Sequence, residues 1–480
     1  MPVPPPRTDA PAPPPGTRVR LDQGARRFGA LLVGGAPARA VRLGPGGLAL
    51  LADGGFELDG SPARAALAEQ LVGAGLAAYD TEASDRTVPT EGPEPVDDVL
   101  VVVPAYERAA GVERLLDALG AAAPVLVVDD ASPDPSALRA AAARHDAEVL
   151  RLPTNLGPAG ARNAGLAEAR RRGAAFVLFV DSDVVVGPDA LARLRRCFLD
   201  PRLALAAPRI GPLEEAGSAL ARYEAVASSL DRGPRSATVA PGAPVAYVPS
   251  AVLLARVEAL GDGFDETLPV GEDVDLVWRL HAAGWRVRYD AGASARHDHR
   301  VRLRDWAGRR ADYGRSAGAL ADRHGDLVAP AVLAPLGVLE VGALLWQRPA
   351  GAVLAGAGAV EIARRLAARL GGDADARRAA VTLVALAGWM NVEQLAAALL
   401  RHHWPLTVLG LATSRRVRRL VAVAAAVDTL AAWARQQPDL DPATYALLRR
   451  LDDLSYGYGV WRGAVATRSG AALLPAWRKA

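Results

Sequence analysis

Residues 174–183 read AAFVLFVDSD, an apolar run closed by two carboxylates. Such a run bounded by polar residues fits a buried strand. Two more runs of the same kind precede it, VLVVVPAY at 99–106 and PVLVVDDAS at 124–132. Segments with helical spacing lie between them, at 110–121, 135–146 and 157–173. Alternating strand and helix predicts a parallel sheet of βαβ units, an α/β domain over 98–326. Ligands of such sheets sit at the carboxyl ends of the strands. Tyr106, Glu107, Asp129, Asp130, Asp181 and Asp183 all fall at such ends. Acids after a strand also serve as caps and turns. Three strand ends in order make that reading insufficient.

Each end suggests its own chemistry. Asp181 and Asp183, with Ser182 between them, suit a hard divalent cation such as Mg²⁺ or Mn²⁺. Such a cation would bridge two phosphates and stabilise a departing diphosphate. Tyr106 can lie against a base, and Asp130 can accept from the imide N–H of uracil. No glycine-rich phosphate loop is present, so metal and arginine must meet the phosphate charge. NLGPAGARNAG at 155–165 opens a helix, with Gly157 and Gly160 permitting tight turns. Arg162 stands one turn in, where its guanidinium can fork onto a base carbonyl or a phosphate. GEDVDLVWRL at 271–280 starts a further helix. Glu272 and Asp273 there are either dipole compensation or, for one of them, a general base. His297 and His299 follow an apparent strand at 285–295; either one can complete the cation's ligands, or both are structural.

The chain has 480 residues, with 56 basic and 53 acidic side chains and a formal charge of +3. That balance argues against a nucleic-acid partner. The single cysteine, Cys197, excludes an internal disulfide and any multi-cysteine metal site. Residues 1–16 are proline-rich, lack the apolar core of a signal peptide and read as disordered. Residues 17–80 carry short apolar runs broken by Gly and Pro, then a helical stretch with Ser61 as N-cap. A hairpin followed by helices is expected there, as in a small winged-helix module. Residues 81–97 read as a linker.

Residues 327–480 are apolar and helical in pattern. The stretch 327–346 is long enough to span a bilayer, though it holds Pro330, Pro335 and Glu340. Arg415, Arg416, Arg418 and Arg419 suit an anionic membrane surface. The alternative is an alanine-rich soluble bundle. The expected location is the cytoplasmic face of the cell membrane, or the cytoplasm if the bundle is soluble. The segment 441–463 reads as an amphipathic helix followed by a Gly/Tyr turn.

Together VPAYE at 103–107, DDAS at 129–132, NLGPAGARNAG, DSD and GEDVDLVWRL resemble the inverting, GT-A-fold glycosyltransferases of family 2. The resemblance implies nucleotide-sugar binding through Pro104, Tyr106, Glu107, Asp130, Asn155, Gly157, Arg162, Asp181 and Ser182. It implies a Mg²⁺ or Mn²⁺ ion at Asp183, with Asp181 nearby and His297 as a further ligand. It implies Asp273 as catalytic base, with Glu272 beside it. Ala131 stands where the family often has glycine. Arg304-Asp305-Trp306 is not the Gln-x-x-Arg-Trp signature of processive synthases. The layout is similar in particular to the glycosyltransferases of the mycofactocin system, with a PqqD-like N-terminal module. That implies a UDP-glucose donor and β-1,4-linked transfer to the peptide-derived cofactor or its precursor, with precursor-peptide contact through the module. Two other classes compete: a membrane glycosyltransferase with a lipid or cell-wall sugar acceptor, and a non-catalytic peptide or nucleotide binder.

Overall fold

The computed structural model describes residues 3–7, 12–35, 38–80, 96–214, 217–333, 337–338, 341–342 and 345–477. Its centre is a nine-stranded sheet. β7 (Val99–Ala105), β8 (Val125–Asp129), β9 (Glu148–Arg151) and β10 (Phe176–Val180) are mutually parallel, in the spatial order β9-β8-β7-β10. The connecting helices are α3 (Ala109–Leu119), α4 (Ser136–Ala143) and α5 (Gly157–Arg172). Alternate residues of β7 face two cores. Val99, Val101 and Val103 join one, while Leu100 and Val102 join the other. Burial on both faces is why these strands read as unbroken apolar runs.

Beyond β10 the expected parallel order fails. β14 (Val252–Arg256) pairs antiparallel with both β10 and β12 (Leu203–Pro212), so the sheet is mixed. An apolar strand buried on both faces carries no mark of its direction, which the preceding loop sets. Two reversals restore the original sense. β12, and β15 (Arg286–His297) parallel to it, end at the same edge as β10. The short β11 (Val184–Val186) then pairs Val184 with His297, bringing the DSD turn beside that histidine. Helices α6 (Pro188–Cys197), α7 (Ala219–Ala227), α8 (Glu272–Ala282) and α9 (Leu303–His324), with the two-residue β13 (Ala237–Thr238), complete this domain.

The N-terminal module departs from a hairpin followed by helices. Two three-stranded antiparallel sheets form instead. One is β2 (Arg26–Phe28), β3 (Leu31–Gly34) and β4 (Arg39–Arg42). The other brings together β1 (Arg18–Leu21), β5 (Gly55–Glu57) and β6 (Ala77–Tyr79). Helices α1 (Pro45–Leu50) and α2 (Pro62–Gly73) are interleaved between strands, and Ser61 does cap α2. Each apolar run is too short for more than one small strand, so pairing is made by distant segments. Most of the expected linker, 81–95, lies outside the described residues.

Residues 3–7 and 12–16 are ordered against the body, contrary to the expected disorder. Trp285 Nε1 donates to the Pro4 carbonyl at 2.6 Å, and Val3 packs on the second core. Proline's fixed φ lowers the entropy lost on docking, and its carbonyl still accepts.

The C-terminal helices are α10 (Pro349–Arg369), α11 (Ala374–Ala397), α12 (Trp404–Thr413), α13 (Arg415–Gln436) and α14 (Pro442–Thr467), with a π-turn at 398–402. The stretch 327–346 falls partly outside the described residues and forms no continuous helix among them. One helical run, Ala374–His402, is long and apolar enough to cross a membrane, and 6% of its apolar window is buried. The expected Gly/Tyr turn is absent, because α14 runs straight through Tyr456-Gly457-Tyr458-Gly459. A side chain at Gly457 would strike the Arg401 carbonyl, and one at Gly459 the Ala311 carbonyl. These glycines let α14 press against the π-turn and α9. Tertiary packing overrides their poor helix propensity.

Candidate active site

The parallel strands deliver their polar termini to one edge. Asp129 is fully buried and is a framework group. Its Oδ1 accepts from the Ser132 N–H at 2.9 Å and its Oδ2 pairs with Arg151 at 2.8 Å. The Glu107 N–H donates to Ser132 Oγ at 3.0 Å, tying the end of β7 to that of β8. Glu107 (φ +54°) and Ala131 (φ +60°) both adopt the left-handed region. Alanine there costs about 1–2 kcal/mol, which explains why glycine suits the position. Asp130 is buried, and its Oδ1 accepts from the Leu156 N–H at 2.7 Å. It therefore fixes the loop ahead of α5, where Asn155 Oδ1 accepts from the Gly157 N–H at 3.1 Å. Gly157 itself has φ +74°. Tyr106 is exposed on the same rim. Pro104 lies in β7 beyond Val102, the last β7 residue paired with β10.

The DSD turn leaves Asp183 between two cationic or coordinating partners. Arg108 Nη1 lies 3.4 Å from its Oδ2, and His297 Nε2 lies 3.5 Å from its Oδ1. Burial and neighbouring Asp181 push the Asp183 carboxyl up. Burial lowers His297 to about 4, so its imidazole is neutral and can offer a lone pair. His299 stands behind it, Nδ1 to Nδ1 at 2.9 Å, which settles that His297 is the one facing Asp183. Among the described residues no three His, Cys, Asp or Glu side chains form a ready metal cage. Asp183 and His297 nevertheless fit a Mg²⁺ or Mn²⁺ ion that takes its remaining ligands from phosphate and water. Ser182 is buried, and its carbonyl abuts Gly111 of α3 so closely that any side chain there would collide.

Arg162 lines the cavity edge and is held by two carboxylates. It is 2% exposed, and both terminal nitrogens are taken. Nη2 donates to Asp181 Oδ1 at 2.5 Å and Nη1 to Glu272 Oε1 at 2.9 Å. It also stacks over Phe264 at 5.3 Å. The two carboxylates hold its charge firmly despite burial. Asp181 Oδ1 is held by Arg162, whereas Asp183 faces Arg108 and His297.

Glu272 and Asp273 open α8 but differ in environment. Glu272 is buried in its ion pair. Asp273 has no cation within ion-pair distance among the described residues. It accepts from the Ser250 N–H at 3.3 Å and the Val274 N–H at 2.8 Å. Burial, then repulsion from Glu272, raises its carboxyl to about 7. Asp275 is structural, held by Arg279 at 2.7 Å and His324 at 2.9 Å.

A cavity of about 560 Å³ joins Arg162, Asp181, Asp183, Glu272, Asp273 and His297. Tyr106, Glu107, Asp130, Asn155 and Gly157 do not line it; Tyr106, Glu107 and Asn155 are exposed, while Asp130 is buried. Part of its lining was not foreseen. Arg309 and Tyr313 come from α9, Arg401 from the π-turn, and Asp452 and Tyr456 from α14. Arg309 and Tyr313 are one helical turn apart, a signal available in the sequence. The others carry no motif.

Residues 100–232 match the profile of the Glycosyl transferase family 2, and residues 176–433 that of the Glycosyl transferase family group 2. The second match continues past α9 into α13. The Pre-mycofactocin glycosyltransferase of Mycobacterium tuberculosis, in strains CDC 1551 / Oshkosh and ATCC 25618 / H37Rv, is 42% identical over 475 residues, covering 96% of this chain and 98% of the relative. The Succinoglycan biosynthesis protein ExoO of Rhizobium meliloti (strain 1021) is 40% identical over 104 residues, 21% of this chain and 29% of that protein. Among solved structures, a mannosyltransferase of Pyrobaculum calidifontis in complex with GDP-Man and Mn²⁺ has a TM-score of 0.37 at 20% identity, covering 75% of this chain and 94% of that one. With its sheet edge, Asp-x-Asp turn and nearly full-length identity to one set of relatives, the chain belongs to glycosyltransferase family 2, in the family of the pre-mycofactocin glycosyltransferases.

Proposed function

We propose that this glycosyltransferase moves glucose from UDP-glucose, with inversion and β-1,4 linkage, onto a pre-mycofactocin-type acceptor. The carrying observation is Asp273, free of any cation partner among the described residues, in the same cavity as Asp183. Tyr106, Glu107, Asp130, Asn155 and Gly157, with the backbone at Pro104 and Ser182, seat the nucleoside half on the rim. Asp183 and His297 hold Mg²⁺ or Mn²⁺, which when bound neutralises diphosphate charge. Asp273 takes the proton of the acceptor hydroxyl. The hydroxyl oxygen attacks the anomeric carbon from the face opposite UDP, and the electron pair of the broken bond leaves on the diphosphate. Arg162 and Glu272 keep the acidic groups in register. The N-terminal module is read as a contact for the precursor peptide, by family likeness alone.

The test incubates the full chain with pre-mycofactocin and UDP-glucose, UDP-galactose or UDP-N-acetylglucosamine, with Mg²⁺ or Mn²⁺. A β-configured glucoside formed from UDP-glucose supports the reading. An α-configured product removes the inverting mechanism, and transfer only from another donor removes the glucose assignment.

A second reading, a membrane enzyme with a lipid or cell-wall sugar acceptor, is favoured by the exposed apolar run Ala374–His402 and the exposed arginines 415–419. Membrane attachment at the cytoplasmic face is compatible with either acceptor. Glycolipid formed in membrane extracts, with none on pre-mycofactocin, would select the second.

A further inference from the structure

The backbone fixes where His297 starts but leaves its ring free to turn. Val184 and His297 are paired across β11 and β15, and the Asp298 N–H donates to the Asp183 carbonyl at 3.0 Å. These contacts tie the histidine to the DSD turn. They act on the main chain, and neither reaches the imidazole. A ring that turned away would carry Nε2 from its place 3.5 Å from Asp183 Oδ1. Another group must hold it there.

His299 makes the contact that does so. The two-residue spacing places both rings on one side of the chain, Nδ1 to Nδ1 at 2.9 Å with centroids 5.0 Å apart. Asp298 between them points to Arg114 instead, at 3.3 Å. Two facing ring nitrogens bond only if one carries a proton and the other a lone pair. A neutral imidazole that offers the Nε2 lone pair keeps its proton on Nδ1. His297 is then the donor and His299 Nδ1 the acceptor, which leaves the proton of His299 on Nε2.

The other nitrogen of His299 gains nothing from its surroundings. His299 Nε2 is buried and has no hydrogen-bond partner among the described residues. The ring lines a cavity of about 30 Å³ with Glu224, Trp306 and Arg310. Glu224 Oε1 is already taken there, by Trp306 Nε1 at 2.8 Å and Arg310 Nη2 at 2.6 Å. A buried N–H left unpaired is a cost that an apolar side chain of similar size would avoid. What the imidazole supplies, and phenylalanine or leucine could not, is the Nδ1 acceptor.

We propose that His299 is a positioning residue for the metal ligand His297: it accepts the Nδ1–H, fixes the tautomer and holds Nε2 toward Asp183. This rests on the reading of Asp183 and His297 as the Mg²⁺ or Mn²⁺ site and adds the group that orients it. A histidine ligand whose second nitrogen donates a hydrogen bond is fixed in angle and made more basic.

The experiment titrates Mn²⁺ into the full chain with UDP present, by calorimetry, and reads nitrogen coupling to Mn²⁺ by pulsed electron paramagnetic resonance. His299→Phe keeps a ring but offers no acceptor. It is expected to weaken Mn²⁺ binding about 10–100-fold and to diminish the nitrogen coupling. UDP affinity without metal and the melting temperature stay those of the wild type. His299→Asn, whose Oδ1 can stand in for Nδ1, is expected to recover most of the affinity. His299→Ala takes the place of the phenylalanine variant should that one fail to fold. Unchanged Mn²⁺ affinity in His299→Phe overturns the proposal. Equal weakening in the Phe and Asn variants overturns it as well, since the ring then only packs. His297→Ala is the control: if it keeps the Mn²⁺ affinity, His297 is no ligand and the proposal falls, while Asp183 still holds the ion. A wild-type chain that takes up no Mn²⁺ beside UDP overturns the metal reading itself, and this one with it.

Discussion

Arg162 donates to Glu272 at 2.9 Å across 110 residues of chain, joining the helix that follows β9 to the helix that carries the proposed base. The same guanidinium holds Asp181, so one buried cation aligns the donor and acceptor halves.

Replacing Arg162 with Met leaves two carboxylates near the sheet edge without their cation. Breaking a buried pair from one side costs about 3–5 kcal/mol. Urea unfolding should show a loss of that order. Full stability combined with lost UDP affinity would return Arg162 to the nucleotide.

Asp273→Asn should lower turnover about 10²–10⁴-fold with little change in UDP-sugar affinity. The base works only when ionised, and burial with Glu272 beside it places its carboxyl at about 7. Turnover should therefore fall as pH drops through about 7 and level off above it. That acid limb should flatten in Asp273→Asn. Glu272→Gln is the comparison. If it loses turnover while Asp273→Asn keeps it, the two roles are exchanged.

Asp183→Ala should abolish the Mn²⁺-dependent part of UDP binding in calorimetry while circular dichroism stays that of the wild type. Gly111→Ala should weaken the same binding, because its side chain displaces the Ser182 carbonyl and the turn that carries Asp183. UDP affinity unmoved by Mn²⁺ in the wild type would remove the metal assignment.

The exposed arginines 415–419 should bind anionic vesicles. Each contributes about 1 kcal/mol near such a surface, or about fivefold in affinity. Arg415→Gln with Arg416→Gln should weaken flotation on phosphatidylserine vesicles and leave neutral vesicles unaffected. A chain that stays in the high-speed supernatant and ignores anionic vesicles has a soluble helical region.

The order of strands β7 to β10 and the polar groups at their ends are legible in the chain itself. Buried strands must be apolar throughout, and the acids that follow them stand out against that background. Asp183 stands out this way, and Asp273 as an acid in the first turn of a helix, because local sequence positions each at an element end. The direction of β14 was not legible, since an apolar run looks alike in either sense. The ordered N-terminal prolines were not either, because the partner, Trp285, is distant in sequence.

Sequence alone thus determined the element pattern, the family and the chemical groups at the sheet edge, all properties of residues within a few positions of one another. Tertiary structure alone decided which groups are free to act. It paired Arg162 with Asp181 and Glu272, left Asp273 without an ion-pair partner among the described residues, and turned His297 rather than His299 toward Asp183. It also carried α14 through its glycines to set Tyr456 and Asp452 in the cavity. Charge compensation and close packing depend on distances between separate segments of the chain, and no local pattern encodes them.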